Sequence, residues 1–273
     1  MVLPTLGVGL GYRPQLHEHI IAAREHIDWL ELLAEGFLPL TPRRRDLLDE
    51  ISSKFPCVVH STELSLGSAD TVDNSLVTQL AELADTVDAP WVSDHFCFTA
   101  ADGIRLGHLT PVQWNRANAA HMAAKARLVS QELGRPFLLE NITYHFIVPG
   151  ELSEGQFITT VLEESGCYLL LDVTNTFTNA TNLGFDPVER LDSFPLHLAR
   201  QLHVAGGTWE DGVLADSHDA TVADEVWQLI RHVGRRVPIP PILLERDASF
   251  PEDFGEIMAD LRKARASSAA QLT

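Results

Sequence analysis

Apolar runs recur along the chain with longer amphipathic stretches between them. The runs cover residues 6–11, 27–33, 56–61, 89–95, 136–141 and 167–172, then the stretch opening Leu202-His203-Val204, and last residues 240–247. Leucine, valine and alanine fall at helical spacing over residues 74–87, and helices are also predicted over 15–25, 111–133 and 250–265, with a loop and helix over 150–164. Thr41-Pro42 reads as an N-cap followed by proline, opening another helix. Asp102-Gly103, inside residues 96–108, is the turn signal of a projecting hairpin.

The runs are apolar almost throughout, as strands are when both faces are covered. Eight such strands alternating with helices, without a composition break or linker, predict an α/β fold, a parallel (β/α)8 TIM barrel. One domain is expected over residues 1–265, followed by a frayed, flexible tail at 266–273.

The strand ends change the picture from fold to chemistry. Successive runs finish in His60, His95, Glu140, Asp172, His203 and Glu245, and barrel active sites lie at the carboxyl ends of the strands. Asp216-Ser217-His218 follows in the seventh loop. Taken singly, each of these is as readily a hydrogen-bonded core histidine or a helix cap. Together they bring carboxylates and imidazoles to one rim, where uncompensated carboxylates repel and are driven toward protonation. Two or three divalent ions would neutralise them.

Nitrogen and oxygen donors without thiolate suit iron, manganese or zinc, and spacing alone does not separate iron from zinc. Glu140 lies between the two histidine strands and the strands of Asp172, His203 and Glu245, so it is placed to bridge two ions. Two other patterns carry less. Gly7-x-Gly9-x-Gly11 lacks the dinucleotide spacing and a ribose-binding acid, and His17-Glu18-His19 reads as a solvated helix face.

Composition narrows the function classes. The 273 residues hold three cysteines, Cys57, Cys97 and Cys167, an odd number without a Cys-x-x-Cys, so buried structural thiols are expected rather than disulfides. A net charge of −18, from 20 basic and 38 acidic side chains, disfavours a phosphate backbone as main partner, so no nucleic acid is expected. No run approaches a membrane span, and the first residues lack a secretory signal, so no membrane association and a cytoplasmic location are expected.

Seven segments together resemble the DUF692 family of multinuclear non-haem iron-dependent oxidases. They are Gly7-Val8-Gly9-Leu10-Gly11-Tyr12-Arg13-Pro14, Ser93-Asp94-His95, Leu139-Glu140-Asn141, Leu171-Asp172-Val173-Thr174-Asn175, His203-Val204-Ala205-Gly206, Asp216-Ser217-His218-Asp219 and Leu244-Glu245-Arg246-Asp247. The resemblance spans nearly the whole chain, and the wider barrel superfamily includes endonuclease IV and xylose isomerase-like enzymes.

The resemblance implies that His60, His95 and bridging Glu140 hold one iron, and Glu140, Asp172, His203 and Glu245 a second. Asp216, His218 and Asn175 would hold a third, more labile ion. It further implies mixed-valent iron with dioxygen as co-substrate, acting on a ribosomally made precursor peptide, most often at a cysteine whose thiolate binds iron while hydrogen is taken from its β-carbon. A small leader-binding partner protein is also implied. The alternative within the same barrel class is a zinc-dependent hydrolase or an endonuclease IV-like phosphodiesterase.

The chain departs from the family pattern twice. Many relatives carry Asp-Val-Asn-Asn where Asp172-Val173-Thr174-Asn175 stands, and His-Leu-Ala-Gly-His where His203-Val204-Ala205-Gly206-Gly207 stands. The missing histidine at 207 touches substrate choice or proton transfer and leaves the inferred ligands intact.

Overall fold

The computed structural model describes residues 3–269. Its strands are β1 (Val8–Tyr12), β2 (Trp29–Leu33), β3 (Cys57–His60), β4 (Val92–His95), β5 (Cys97–Ala101), β6 (Ile104–Pro111), β7 (Phe137–Glu140), β8 (Tyr168–Asp172), β9 (Ala199–Val204), β10 (Trp209–Glu210), β11 (Val213–Leu214) and β12 (Ile242–Leu244). The helices are α1 (His17–Ala22), α2 (Ala34–Phe37), α3 (Pro42–Ser52), α4 (Asn74–Thr86), α5 (Arg116–Leu133), α6 (Glu154–Ser165), α7 (Val173–Leu183), α8 (Pro187–Ser193), α9 (Asp224–Gly234) and α10 (Gly255–Ala269).

Eight strands close into a barrel in the order β1-β12-β9-β8-β7-β4-β3-β2. All eight pairings are parallel, and β1 shuts the ring between β2, with Gly9 beside Trp29, and β12, with Leu10 beside Leu244. This is the (β/α)8 barrel that the apolar runs predict. The remaining strands form two small antiparallel pairs outside it, β5-β6 and β10-β11.

Local chemistry accounts for the element ends. Thr41 accepts the amide of Arg44 with Pro42 in the first turn, and Ser153 and Gln156 close a capping box at α6. The hairpin turns at Asp102 (φ 49°) and Gly103 (φ 72°), both left-handed, which is the two-residue geometry that Asp-Gly favours.

Three helices differ from the sequence expectation in their bounds. The helix expected over 15–25 is interrupted, with α1 lying between two 3-10 turns. The helix expected from 111 begins at Arg116, because Pro111 still belongs to β6 and Asn115 caps the helix by accepting the amide of Asn118. The helix expected over 250–265 begins at Gly255 and runs on to Ala269, into the expected tail, of which 270–273 lie outside the described residues.

The core divides into two shells. Leu30, Leu32, Val59, Val92, Leu139, Leu171, Val204 and Leu244 point outward and pack under the helices. Trp29, Val58, Trp91, Leu138, Leu170 and Leu243 point inward and form a separate apolar cluster within the barrel.

Candidate metal centre

The two-residue period of a strand places the polar side chains of the barrel. Two positions after Trp29, Val58, Leu138, Leu170 and Leu243 come Glu31, His60, Glu140, Asp172 and Glu245, so this polar layer rests on an apolar floor. β4 reaches the same level with Ser93 and then His95, and β9 with Gln201 and then His203. Each of these side chains is buried.

Glu140 stands at the centre. Its Oε2 lies 3.4 Å from His60 Nε2 and 3.3 Å from His95 Nε2, and its Oε1 lies 3.3 Å from His203 Nδ1. Glu245 Oε2 is 3.3 Å from the same His203 nitrogen. Two sets of donor atoms thus meet within 4.8 Å, His60/His95/Glu140 and Glu140/Asp172/His203/Glu245, and they share Glu140.

Asp172 is both strand end and helix cap. Its Oδ1 accepts the backbone amide of Asn175 at 2.6 Å, opening α7 and leaving Oδ2 directed elsewhere. Asn141 holds the strand end in place, accepting the Asp172 amide and donating to its carbonyl. Asn175 donates to the Asn141 carbonyl.

Without a cation this arrangement is frustrated. Glu140 Oε2, Asp172 Oδ2, Glu245 Oε2, Asn175 Oδ1, His95 Nδ1 and His203 Nδ1 are buried without a hydrogen-bond partner, which is costly for each. Burial, then Glu140, Glu245 and Asp216, holds the Asp172 carboxyl well above its usual range. Burial, reinforced by His95 and His203, keeps His60 well below the usual imidazole value. Burial also opposes charge on His95, but Glu140 and Asp94 outweigh it and lift that ring to about 9. Cations at the two donor sets would satisfy the orphaned oxygens and offset the carboxylate repulsion, so the residues fit a multinuclear metal centre.

Asp216 and His218 lie one step further out. His218 Nε2 is 2.8 Å from Asp216 Oδ1, while its Nδ1 is 3.2 Å from Asp247 Oδ2 and 3.6 Å from Glu245 Oε2. They face each other although the chain here is not extended, because His218 adopts a left-handed backbone (φ 49°). Arg13 pairs with the other oxygen of Asp247 at 2.5 Å.

Two further groups support the donors, Ser93 from one of the family motif segments and Glu31 from outside all of them. Ser93 Oγ meets His60 Nδ1 at 2.8 Å, and Glu31 Oε2 meets His203 Nε2 at 3.1 Å. An acid in the middle of an otherwise apolar buried strand was the available signal for Glu31. The two departures from the family pattern also have local reasons. The Thr174 hydroxyl bridges both backbone groups of Ala205. A Cβ at Gly207 would stand 2.2 Å from the Ala215 carbonyl oxygen, so the returning loop closes over a position with no room for a side chain.

The three cysteines are buried, unpaired and outside both donor sets. Around the mouth, the loops after β4, β7 and β9 carry exposed Ile104, Phe146, Ile147, Trp209 and Val213. Among the described residues no helix is long and apolar enough to cross a membrane.

The closed barrel is a xylose isomerase-like TIM barrel, and its rim carries two buried His/Asp/Glu sets able to hold metal. Solved structures of that fold superpose over nearly the whole chain. They include a D-tagatose 3-epimerase-like protein (TM-score 0.62, 14% identity, 97% of this chain and 100% of that one). A xylose isomerase-like barrel protein from Mycobacterium smegmatis, in complex with magnesium, gives a TM-score of 0.61 at 11% identity, over 98% of each chain.

Closer kinship comes from sequence. The family model described as RiPP precursor modification enzyme MbnB/TglH/ChrH matches residues 7–269, and the chain belongs to that family. A UPF0276 protein of Caulobacter vibrioides is 35% identical over 269 residues, 98% of this chain and 96% of its own. Another from Acaryochloris marina is 35% identical over 263 residues, 94% of this chain and 93% of its own. RiPPs are ribosomally made peptides modified after synthesis, so the family implies an enzyme with a precursor peptide as substrate.

Proposed function

We propose that the protein is an iron- and dioxygen-dependent oxidase that modifies its precursor peptide, most often at a cysteine. The observation that carries this reading is the bridging carboxylate, Glu140, which turns one oxygen to His60 and His95 and the other to His203. His60, His95 and Glu140 would hold one iron; Glu140, Asp172, His203 and Glu245 a second; Asp216, His218 and Asn175 a third. Bound iron would supply a Lewis-acid position for a substrate thiolate and the electrons that reduce dioxygen as the peptide is oxidised.

The chain's own residues do the rest. Ser93 holds the outer nitrogen of His60, leaving Nε2 toward Glu140. Trp29, Val58, Trp91, Leu138, Leu170 and Leu243 fill the barrel beneath the donor sets, so the loop side is the way in for reactants. His218 spans Asp216 and Asp247 at that mouth. The exposed apolar side chains of the surrounding loops, Trp209 and Phe146 foremost, suit an extended peptide or a small leader-binding partner protein.

The same donors accept zinc, and a zinc hydrolase or phosphodiesterase is the reading to be separated. The −18 charge disfavours a nucleic-acid substrate. The test is anaerobic purification with iron, metal counting, and mass spectrometry of a candidate precursor peptide with and without dioxygen. Two or three irons and a dioxygen-dependent mass change are expected. A zinc-only protein indifferent to oxygen overturns the proposal.

A further inference from the structure

We infer that Glu31 is a positioning residue: it accepts a hydrogen bond from His203 Nε2 and so fixes that ring with Nδ1 turned to the donor set of Glu140 and Glu245. The inference rests on the reading of His203 as a metal ligand. Glu31 lies in the middle of β2, 3% exposed. A carboxylate held there needs partners, and its Oε2 has two, Gln201 Nε2 at 2.6 Å and His203 Nε2 at 3.1 Å.

A third residue sets the polarity of this network. The Trp91 indole N–H, a donor only, meets Gln201 Oε1 at 2.7 Å. The Gln201 amide nitrogen must then face inward, where it donates to Glu31 and also stands 2.7 Å from His203 Nε2.

His203 has two tautomers to choose between. If Nε2 accepted from Gln201, the proton of the neutral ring would sit on Nδ1, between Glu140 Oε1 and Glu245 Oε2, and Nδ1 would have no lone pair for a metal. A proton on Nε2 donated to Glu31 frees Nδ1. Of the two groups beside Nε2 only the Glu31 carboxylate can accept a proton's hydrogen bond, since Gln201 presents a donor there, so Glu31 is the group that would stabilise the Nε2–H tautomer and raise the basicity of Nδ1 once a metal draws on that nitrogen. Glu31 offers no atom to either donor set, so its role is exerted through His203.

Two variants separate an acceptor from a space-filler. Glu31→Met keeps the volume and loses the acceptor; Glu31→Gln keeps an acceptor oxygen and loses the charge. Affinity for zinc(II) and iron(II) is measured by competition with a chelator. In zinc-loaded protein carrying 15N-histidine, long-range proton–nitrogen spectra report which His203 nitrogen holds hydrogen.

Wild type is expected to show His203 protonated at Nε2. E31M should bind its second equivalent of metal about 10- to 100-fold more weakly and lose that signature, and E31Q should keep the signature with about a tenfold loss. E31M or E31Q binding metal as tightly as wild type, with an unchanged His203 spectrum, overturns the inference alone. Wild-type protein that takes up no divalent metal overturns the metal reading, and this inference with it.

Discussion

His203 Nδ1 lies 3.3 Å from Glu140, whose other oxygen serves His60 and His95, so one imidazole is joined to both donor sets through a single carboxylate. His218 is tied less closely to the inner cluster: its Nδ1 lies 3.6 Å from Glu245 Oε2. The two histidines should therefore fail differently. His203→Ala is expected to remove an inner ion and abolish peptide modification, whereas His218→Ala should chiefly lower the content of the outer position. Metal counting beside an activity assay checks this, and full activity in both variants would refute the division.

Metal should also hold the fold together. Glu140, Asp172 and Glu245 converge with unpaired oxygens, and a cation that binds only the folded chain adds about 2.7 kcal/mol at a hundredfold excess over its Kd. Chelator-treated protein should melt several degrees below the loaded form, and added iron(II) or zinc(II) should reverse the loss. Identical melting curves would mean that the cluster does not bind metal in the folded state.

Much of this centre was legible because barrel strands end where barrel chemistry lies. His60, His95, Glu140, Asp172, His203 and Glu245 each close an apolar run, and the closed sheet brings these ends into one layer. Glu31 is not legible in that way, because it sits inside its run rather than at the end. The inward parity that would have exposed it is set by tertiary register, Leu30 beside Cys57 and Glu31 beside Val58, which the sequence of one strand does not state. Arg13 and Asp247 were visible as family motif residues, but their pairing joins the first and last strands of the barrel and depends on its closure.

Gly9 shows the glycine-rich start to be a packing device. A Cβ there would stand 2.4 Å from the indole of Trp29, a fully buried side chain in the barrel floor. Gly9→Ala should destabilise by about 1–3 kcal/mol through overpacking. Urea unfolding measures the cost, and a Trp29→Leu change in the same chain should recover part of it, so the two effects should not add.

A largely buried ion pair joins α6 to α8. Glu154, buried in the first turn of α6, pairs with Arg190 of α8 and accepts the Tyr144 hydroxyl at 2.9 Å. Burial raises the Glu154 carboxyl above its usual range, and Arg190 pulls it back toward ionisation. Arg190→Met removes that counterweight and leaves a buried charge, at a cost of about 3 kcal/mol at neutral pH. A carboxyl raised on folding favours the folded state fully below its unfolded value, near 4.3, and loses that contribution as pH rises through the folded value. Without Arg190 the folded value moves higher still, so the variant should recover stability toward pH 5 and lose it toward pH 8. Urea midpoints of wild type and R190M across that range supply the check, and a difference that stays constant with pH would show that Glu154 is not the group left uncompensated.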